Sequence, residues 1–363
     1  MNTISCMASG VLIVVTGLGV EGGGGGGDYR LTELGALGGG CSWASEVNNA
    51  RQVIGQAWTG EGVLVGFIWD ALNGMRALDD SGITHNPYLL SEAGHVSGTF
   101  EVAGLTRALY WDETNGLQDL GTLGGDETIP YALNDVGQIV GQSRNAAGQW
   151  RAFLWDAAGG LQPLVTFFDE SFARDINNNG LVVGSQVGSD GISIASRWIG
   201  TTFFDYPISS PSGSDLLAVN ELGDMVGWKS KSALDITPIG VMKLQQFNLQ
   251  FEMGLETFGP SKAYFINDHQ IVGGLSNFSI YDWETFVWSF DNPIATSLGI
   301  GTAGGENWGG VLDLNEEDQF LLGFGGLIGP PFTDPYFGVQ GQITRVGDLL
   351  VAWPPDSEAI ASS

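Results

Sequence analysis

Positive charge is what this chain has least of. It carries 13 Lys and Arg against 41 Asp and Glu, a formal charge of −28 over 363 residues. Such a surface repels phosphate backbones and anionic headgroups, so no nucleic-acid partner is expected. It favours cations, basic partners or neutral ligands such as sugars. Histidine is scarce: His85, His95 and His269 fall in different phases of the repeat described below, so no zinc triad is expected. Two cysteines, Cys6 and Cys41, make neither a disulfide framework nor a metal site. With Cys6 in a leader, the remaining chain is expected to carry one unpaired thiol. There is no Gly-x-Ser-x-Gly elbow, phosphate loop, Cys-x-x-Cys or Asp-x-Asp-x-Asp-Gly calcium loop. No catalytic residue is therefore assigned.

Long apolar runs are missing too. The strongest, Gly10 to Val15, is too short to span a bilayer, so no transmembrane span is expected. It resembles the apolar core of a secretory signal peptide, although no Lys or Arg precedes it and no Ala-x-Ala site follows. Six glycines, Gly22 to Gly27, come next and read as linker. The expected division is a leader or Gly-rich N-terminus over 1–27, a repeat domain over 28–351 and a tail over 352–363.

What the chain has in quantity is a repeat. Asn48, Asn134, Asn177, Asn220, Asn267 and Asn315, with Ser91 as a substitute, recur every 43 residues for four steps, then after 47 and 48. Each is followed by turn chemistry, as in Asn134-Asp135-Val136-Gly137, where Asn caps a type I turn and Gly supplies a positive φ. That Gly slot is lost or displaced around Arg51, His269 and Asp318. A second glycine sits seven residues after the Asn (Gly55, Gly98, Gly141, Gly184, Gly227), inside or just after a strand pattern, where it predicts a bulge or close backbone packing. An aromatic follows at about half the period: Trp69, Trp111, Trp155, Trp198 and Trp288, with Val241 and Tyr336 in the other two units. It reads as a wedge filling the core between units.

Each unit reads as four short strands, which predicts an all-β fold, a β-propeller of seven blades of four antiparallel strands. An open β-solenoid is the alternative. Tyr29 to Leu37 reads as a fourth strand displaced to the N-terminus, and Ile343 to Leu350 competes for the same place in the last blade.

The segments Asp119-Leu120-Gly121-Thr122-Leu123-Gly124-Gly125, Ala132-Leu133-Asn134 through Gly141, and Arg151-Ala152-Phe153-Leu154-Trp155 resemble the HAF repeat family of bacterial extracellular proteins. Arg107 and Arg151 stand where that pattern has His. The resemblance implies secretion and a β-rich repeat fold, and no established activity. The pairs Trp69-Asp70, Trp111-Asp112 and Trp155-Asp156 are similar to those of WD repeats, but the Gly-His partner is missing.

The residue after the turn Asn is acidic in five units: Glu92, Asp135, Glu221, Asp268 and Glu316. If the units close into a ring, these carboxylates form a circle on one face. That circle suits a metal ion, a basic partner or a sugar; equally, acidic residues suit exposed turns on an acidic protein. The segments Lys229 to Pro260 and Gly325 to Gly338 break the rhythm and read as irregular loops. The expected function is a secreted or cell-surface binding or assembly role without catalysis. The alternative is a carbohydrate-active hydrolase or lyase using channel carboxylates. A calcium-stabilised structural module is third. Expected partners are a protein, a carbohydrate or a cation; no cofactor other than calcium is expected.

Overall fold

A computed structural model describes residues 34–345, except 209, 211, 233–236, 247–248, 254–259, 280–281, 290–295, 302–306, 315–318, 327–335 and 340–341. The described residues form seven successive units of four antiparallel strands each, at 38–77, 85–119, 124–163, 170–205, 214–253, 261–301 and 307–345. Every unit is an up-and-down meander in which strands pair in sequence order. Units two and three are also linked by a single parallel pairing, Thr106 with Glu127. The fold is a β-propeller. Four-stranded antiparallel meanders, paired in sequence order within each unit, rule out the solenoid.

The first strand of each unit packs on the first strand of the next, and these strands converge on the axis. The core lies between units. Trp111 joins Ile54 and Ile68 of the preceding unit, Trp155 meets Tyr110, and Trp198 packs on Val140 and Leu154. The wedge role expected of the third-strand aromatics holds at each of these places; burying one such ring is worth about 1.5–3 kcal/mol. Val241 fills the same place in unit five, fully buried.

The first strands share an irregularity. Each carries one extra residue opposite the second strand: Ser45, Tyr88, Tyr131, Arg174, Leu217, Tyr264 and Leu312. This explains the glycine seven residues after the Asn. The bulge swings a main-chain carbonyl (Ile129 in unit three, Phe172 in unit four) into the space where a Cβ at Gly141 or Gly184 would stand. The contact would lie well inside 3.0 Å, so only glycine fits.

One open choice is resolved and two expectations need correction. The last unit takes its fourth strand, Gln342–Arg345, from its own C-terminal side. Of the expected N-terminal strand, the described part makes only an isolated bridge, Leu37 to Thr59. Among the described residues no strand pairing joins the seventh sheet to the first. The rhythm-breaking segments are not wholly loops: Pro238–Leu244 and Leu249–Met253 complete unit five, and Tyr336–Val339 is the third strand of unit seven. Finally, Cys41 is disulfide-bonded, where an unpaired thiol was expected. The expected boundaries near 27 and 351 lie outside the described residues.

Candidate functional site

The site is built from the turn between first and second strands. In unit three the Asn134 amide N–H donates to the Gln138 carbonyl and the Gly137 N–H to the Asn134 carbonyl, closing the turn. The Asn134 Oδ1 accepts the Gln138 N–H at 2.8 Å, the self-capping expected from the sequence. Gly94, Gly137, Gly180 and Gly223 take positive φ, and Arg51 (φ 62°) and Gln270 (φ 59°) adopt the same conformation without being glycine.

The other half of the Asn side chain does something the turn alone does not require. Its Nδ2 crosses to the main-chain carbonyl of the equivalent residue in the next unit. The pairs are Asn48 to Ser91 (2.9 Å), Asn134 to Asn177, Asn177 to Asn220 and Asn220 to Asn267 (3.0 Å each). These side chains are buried. Ser91 caps its own turn through Oγ, accepting the His95 N–H at 3.1 Å. Among the described residues it has no bond crossing to unit three.

One residue further on, a second file runs alongside. The Asn49 N–H donates to the Glu92 carboxylate (2.9 Å), the Glu92 N–H to Asp135 (2.8 Å), and the Asp135 N–H to Asn178 Oδ1 (2.8 Å). The Asn178 N–H donates to Glu221 (2.9 Å) and the Glu221 N–H to Asp268 (2.8 Å). The structure thus brings Glu92, Asp135, Glu221 and Asp268 into one file; Glu316 lies outside the described residues. Side-chain amides moderate the repulsion. Asn49 Nδ2 donates to Glu92 (3.0 Å) and Asn178 Nδ2 to Asp135 (2.9 Å). Partial burial holds the Glu92 and Glu221 carboxyls above the usual range, against the pull of the N–H donors.

The Trp-Asp pairs also point to this end, and their carboxylates are structural. Asp70 accepts the Leu72 and Asn73 N–H groups, Asp112 those of Thr114 and Asn115, and Asp156 those of Ala158 and Gly159. Each caps the turn between third and fourth strands.

Nearer the axis lie the bulge residues, which the sequence reading did not single out. Their fixed phase, three before the Asn, was the available signal. Ser45 Oγ donates to the Pro87 carbonyl (2.6 Å) and the Tyr88 hydroxyl to the Pro130 carbonyl (3.0 Å), so both tie one unit to the next. Arg174, in the same phase, lies over Phe172 and Tyr131.

Among the described residues no group of three or more His, Cys, Asp or Glu is placed to hold a metal ion, so the calcium reading finds no site there. His85 is buried 3.5 Å from Asp79, its imidazole pKa lowered by burial, and His95 packs on Tyr110.

No family model matches the chain, and no curated protein matches it. Solved structures do. One, from work on two prolyl endopeptidases, matches with a TM-score of 0.61 and 8% identity over 84% of this chain and 49% of that one. A post-proline cleaving enzyme from Rickettsia typhi matches with a TM-score of 0.52 and 12% identity over 86% of this chain and 53% of that one. The chain spans about half the length of these enzymes. Such likeness establishes the fold. The expectation of a binding or assembly role without catalysis is corrected here: the solved structures that share the fold include peptide-cleaving enzymes, not scaffolds.

Proposed function

We propose that this chain is the peptide-admitting propeller of a peptidase, and that cationic segments of its substrates enter along the file of Glu92, Asp135, Glu221 and Asp268. The observation that carries this reading is the file itself. Four carboxylates are held at fixed positions on the turn end of a propeller by N–H groups of neighbouring turns. The likeness to two proline-specific peptide-cleaving enzymes supports it. A chain with net charge −28 draws cationic peptides toward such a face and turns acidic ones away. The sequence has no Gly-x-Ser-x-Gly elbow, so in this proposal the attacking group comes from outside the propeller. Membership of the HAF repeat family and export from the cell belong to the same proposal, on the strength of the Asp119–Gly125 and Arg151–Trp155 motifs.

The test is calorimetric titration with a lysine-rich and a glutamate-rich decapeptide of equal length. The lysine-rich peptide is expected to bind, and to weaken about tenfold as salt rises past the point where the Debye length falls below about 5 Å. Asp135→Asn with Glu221→Gln keeps an acceptor oxygen for the main-chain N–H groups of Glu92 and Asn178 and removes both charges. That variant is expected to bind several-fold more weakly with little change in melting temperature. Equal binding of the two peptides to the native protein would sink the reading.

A further inference from the structure

Arg174 departs from its counterparts in a way the turn face does not explain. The bulge phase holds Ser45, Tyr88, Tyr131, Arg174, Leu217 and Tyr264 in the first six units, so it is the one cation in this inner series. The extra residue of a bulge is left out of the ladder and its side chain is re-aimed. Here that side chain is about one-third exposed (32%) near the axis.

The guanidinium is held by rings and only lightly by oxygen. Its carbon stands 5.3 Å from the Phe172 ring centre and 5.5 Å from that of Tyr131. Aromatic faces fix its plane without consuming its N–H groups. Its one hydrogen bond to a carboxylate, Nη2 to Asp215 Oδ2, is long at 3.4 Å, and it also reaches the Tyr131 hydroxyl; Nε is buried, so a ligand is left the two terminal Nη groups. A guanidinium has five N–H donors in a planar fork. Elsewhere in this protein the fork is well used: Arg197 takes both oxygens of Asp205, and Arg76 takes Asp70 and Glu113. Arg174 is a positioned and under-used fork beside the axis.

The group that fits a planar two-donor fork is a carboxylate. The field of the whole protein narrows the choice. At net charge −28 a simple anion is repelled on approach, whereas a ligand that also carries a cation is not. The nearest carboxylate file is one turn away. From Arg174 to Asn178, between Asp135 and Glu221 in that file, is four residues along a strand that ends at Ile176, so at most about 13 Å. A peptide lying along this strand covers the same distance in about four residues.

We propose that Arg174, braced by Phe172 and Tyr131, receives the free C-terminal carboxylate of a peptide whose basic residue, about three positions upstream, lies against the Asp135–Glu221 part of the turn file. This rests on the peptide-admitting reading above and adds the polarity and the end group of the ligand.

The probes are Lys-Ala-Ala-Phe as the free acid and as the C-terminal amide, titrated calorimetrically into the native protein at low salt. The free acid is expected to bind at least tenfold more tightly than the amide. In Arg174→Gln the two are expected to bind alike, at about the native affinity for the amide; in Arg174→Lys, which keeps the charge and loses the fork, part of the preference remains. Equal affinity of acid and amide in the native protein, with both still bound, overturns the assignment of Arg174 and leaves the peptide-admitting reading standing. Preference for the acid surviving in Arg174→Gln also overturns it. If neither probe binds the native protein, both readings fall. The native comparison needs no variant, so a folding defect at position 174 does not obscure the result.

Discussion

The side-chain amide of Asn177 donates to the main-chain carbonyl of Asn220, 43 residues further along, at 3.0 Å. The same side chain accepts the Leu181 N–H, also at 3.0 Å, through its oxygen. One buried amide therefore shapes its own turn and fastens the next unit. Removing it takes one of two donors from the Asn220 carbonyl, which keeps the Gly223 N–H, and takes the side-chain acceptor from the Leu181 N–H. Asn177→Ala is expected to cost about 2–4 kcal/mol in denaturant unfolding. Asn177→Asp should be no better, because a carboxylate oxygen would then face the Asn220 carbonyl. A cost below about 0.5 kcal/mol would contradict the double role.

Ser91 provides the reverse experiment. Its hydroxyl caps its turn, and the bond that should cross to unit three is missing among the described residues. Ser91→Asn is expected to add that bond to the Asn134 carbonyl and to stabilise the protein by about 1 kcal/mol. The check is a rise in the denaturation midpoint with an unchanged slope.

Arg51 and Gln270 occupy a left-handed position that glycine fills in the intervening units. A side chain there costs roughly 1–2 kcal/mol. Arg51→Gly is expected to raise the melting temperature, the gain being trimmed by the greater freedom of glycine in the unfolded chain. A fall in melting temperature would show that the Arg51 side chain contributes more than its backbone strain removes.

The glycine opposite each bulge makes a sharper contrast. Gly141→Ala would drive a Cβ into the Ile129 carbonyl, whereas a Cβ at Gly40 meets nothing within 4 Å. Gly141→Ala is expected to lose about 3 kcal/mol or more, and Gly40→Ala to change stability by less than about 0.5 kcal/mol. Comparable effects at the two sites would mean that the bulge relaxes readily.

Asp175 should leave a mark on the pH dependence of stability. Burial pushes its carboxyl from 3.8 up to about 6, although the Val219 and Ile176 N–H groups pull it down. Glu221 adds to the rise. The folded state therefore holds this proton more tightly than the unfolded chain between about pH 4 and pH 6. The contribution is present below that window and lost as pH climbs through about 6. Relative to Asp175→Asn, the native protein is expected to gain on the order of 1–2 kcal/mol on acidification from about pH 7 to about pH 5. Melting curves across that range check it; a gap that does not change with pH would refute it.

The repeat phase made the architecture legible, because Asn, Gly and Trp recur for reasons that are nearly local. Gly141 could be read as a bulge marker from sequence because only one residue type fits there. The bulge residues themselves could not, since Ser45, Tyr88, Arg174 and Leu217 share a backbone position and no side-chain chemistry. Half of the Asn role was hidden as well: its second partner is a main-chain carbonyl 43 or 47 residues away, and a carbonyl leaves no trace in a sequence. The carboxylate file was visible as a phase, but its bonding was not, for the same reason. Which segment completes the last blade stayed open between Tyr29 to Leu37 and Ile343 to Leu350, because strand-like composition does not say which edge a strand will pair with.

The crossing amide has a consequence for how such a chain can change in length. Units four and five each offer their successor a donor and their predecessor an acceptor, and both come from one residue type at one phase. Excising a whole 43-residue period between Asn134 and Asn220 would bring like to like and leave no bond unmatched. Nothing in this fastening counts. The number of blades is thus set by where the chain is cut and copied, and the interior joints would accept one fewer or one more.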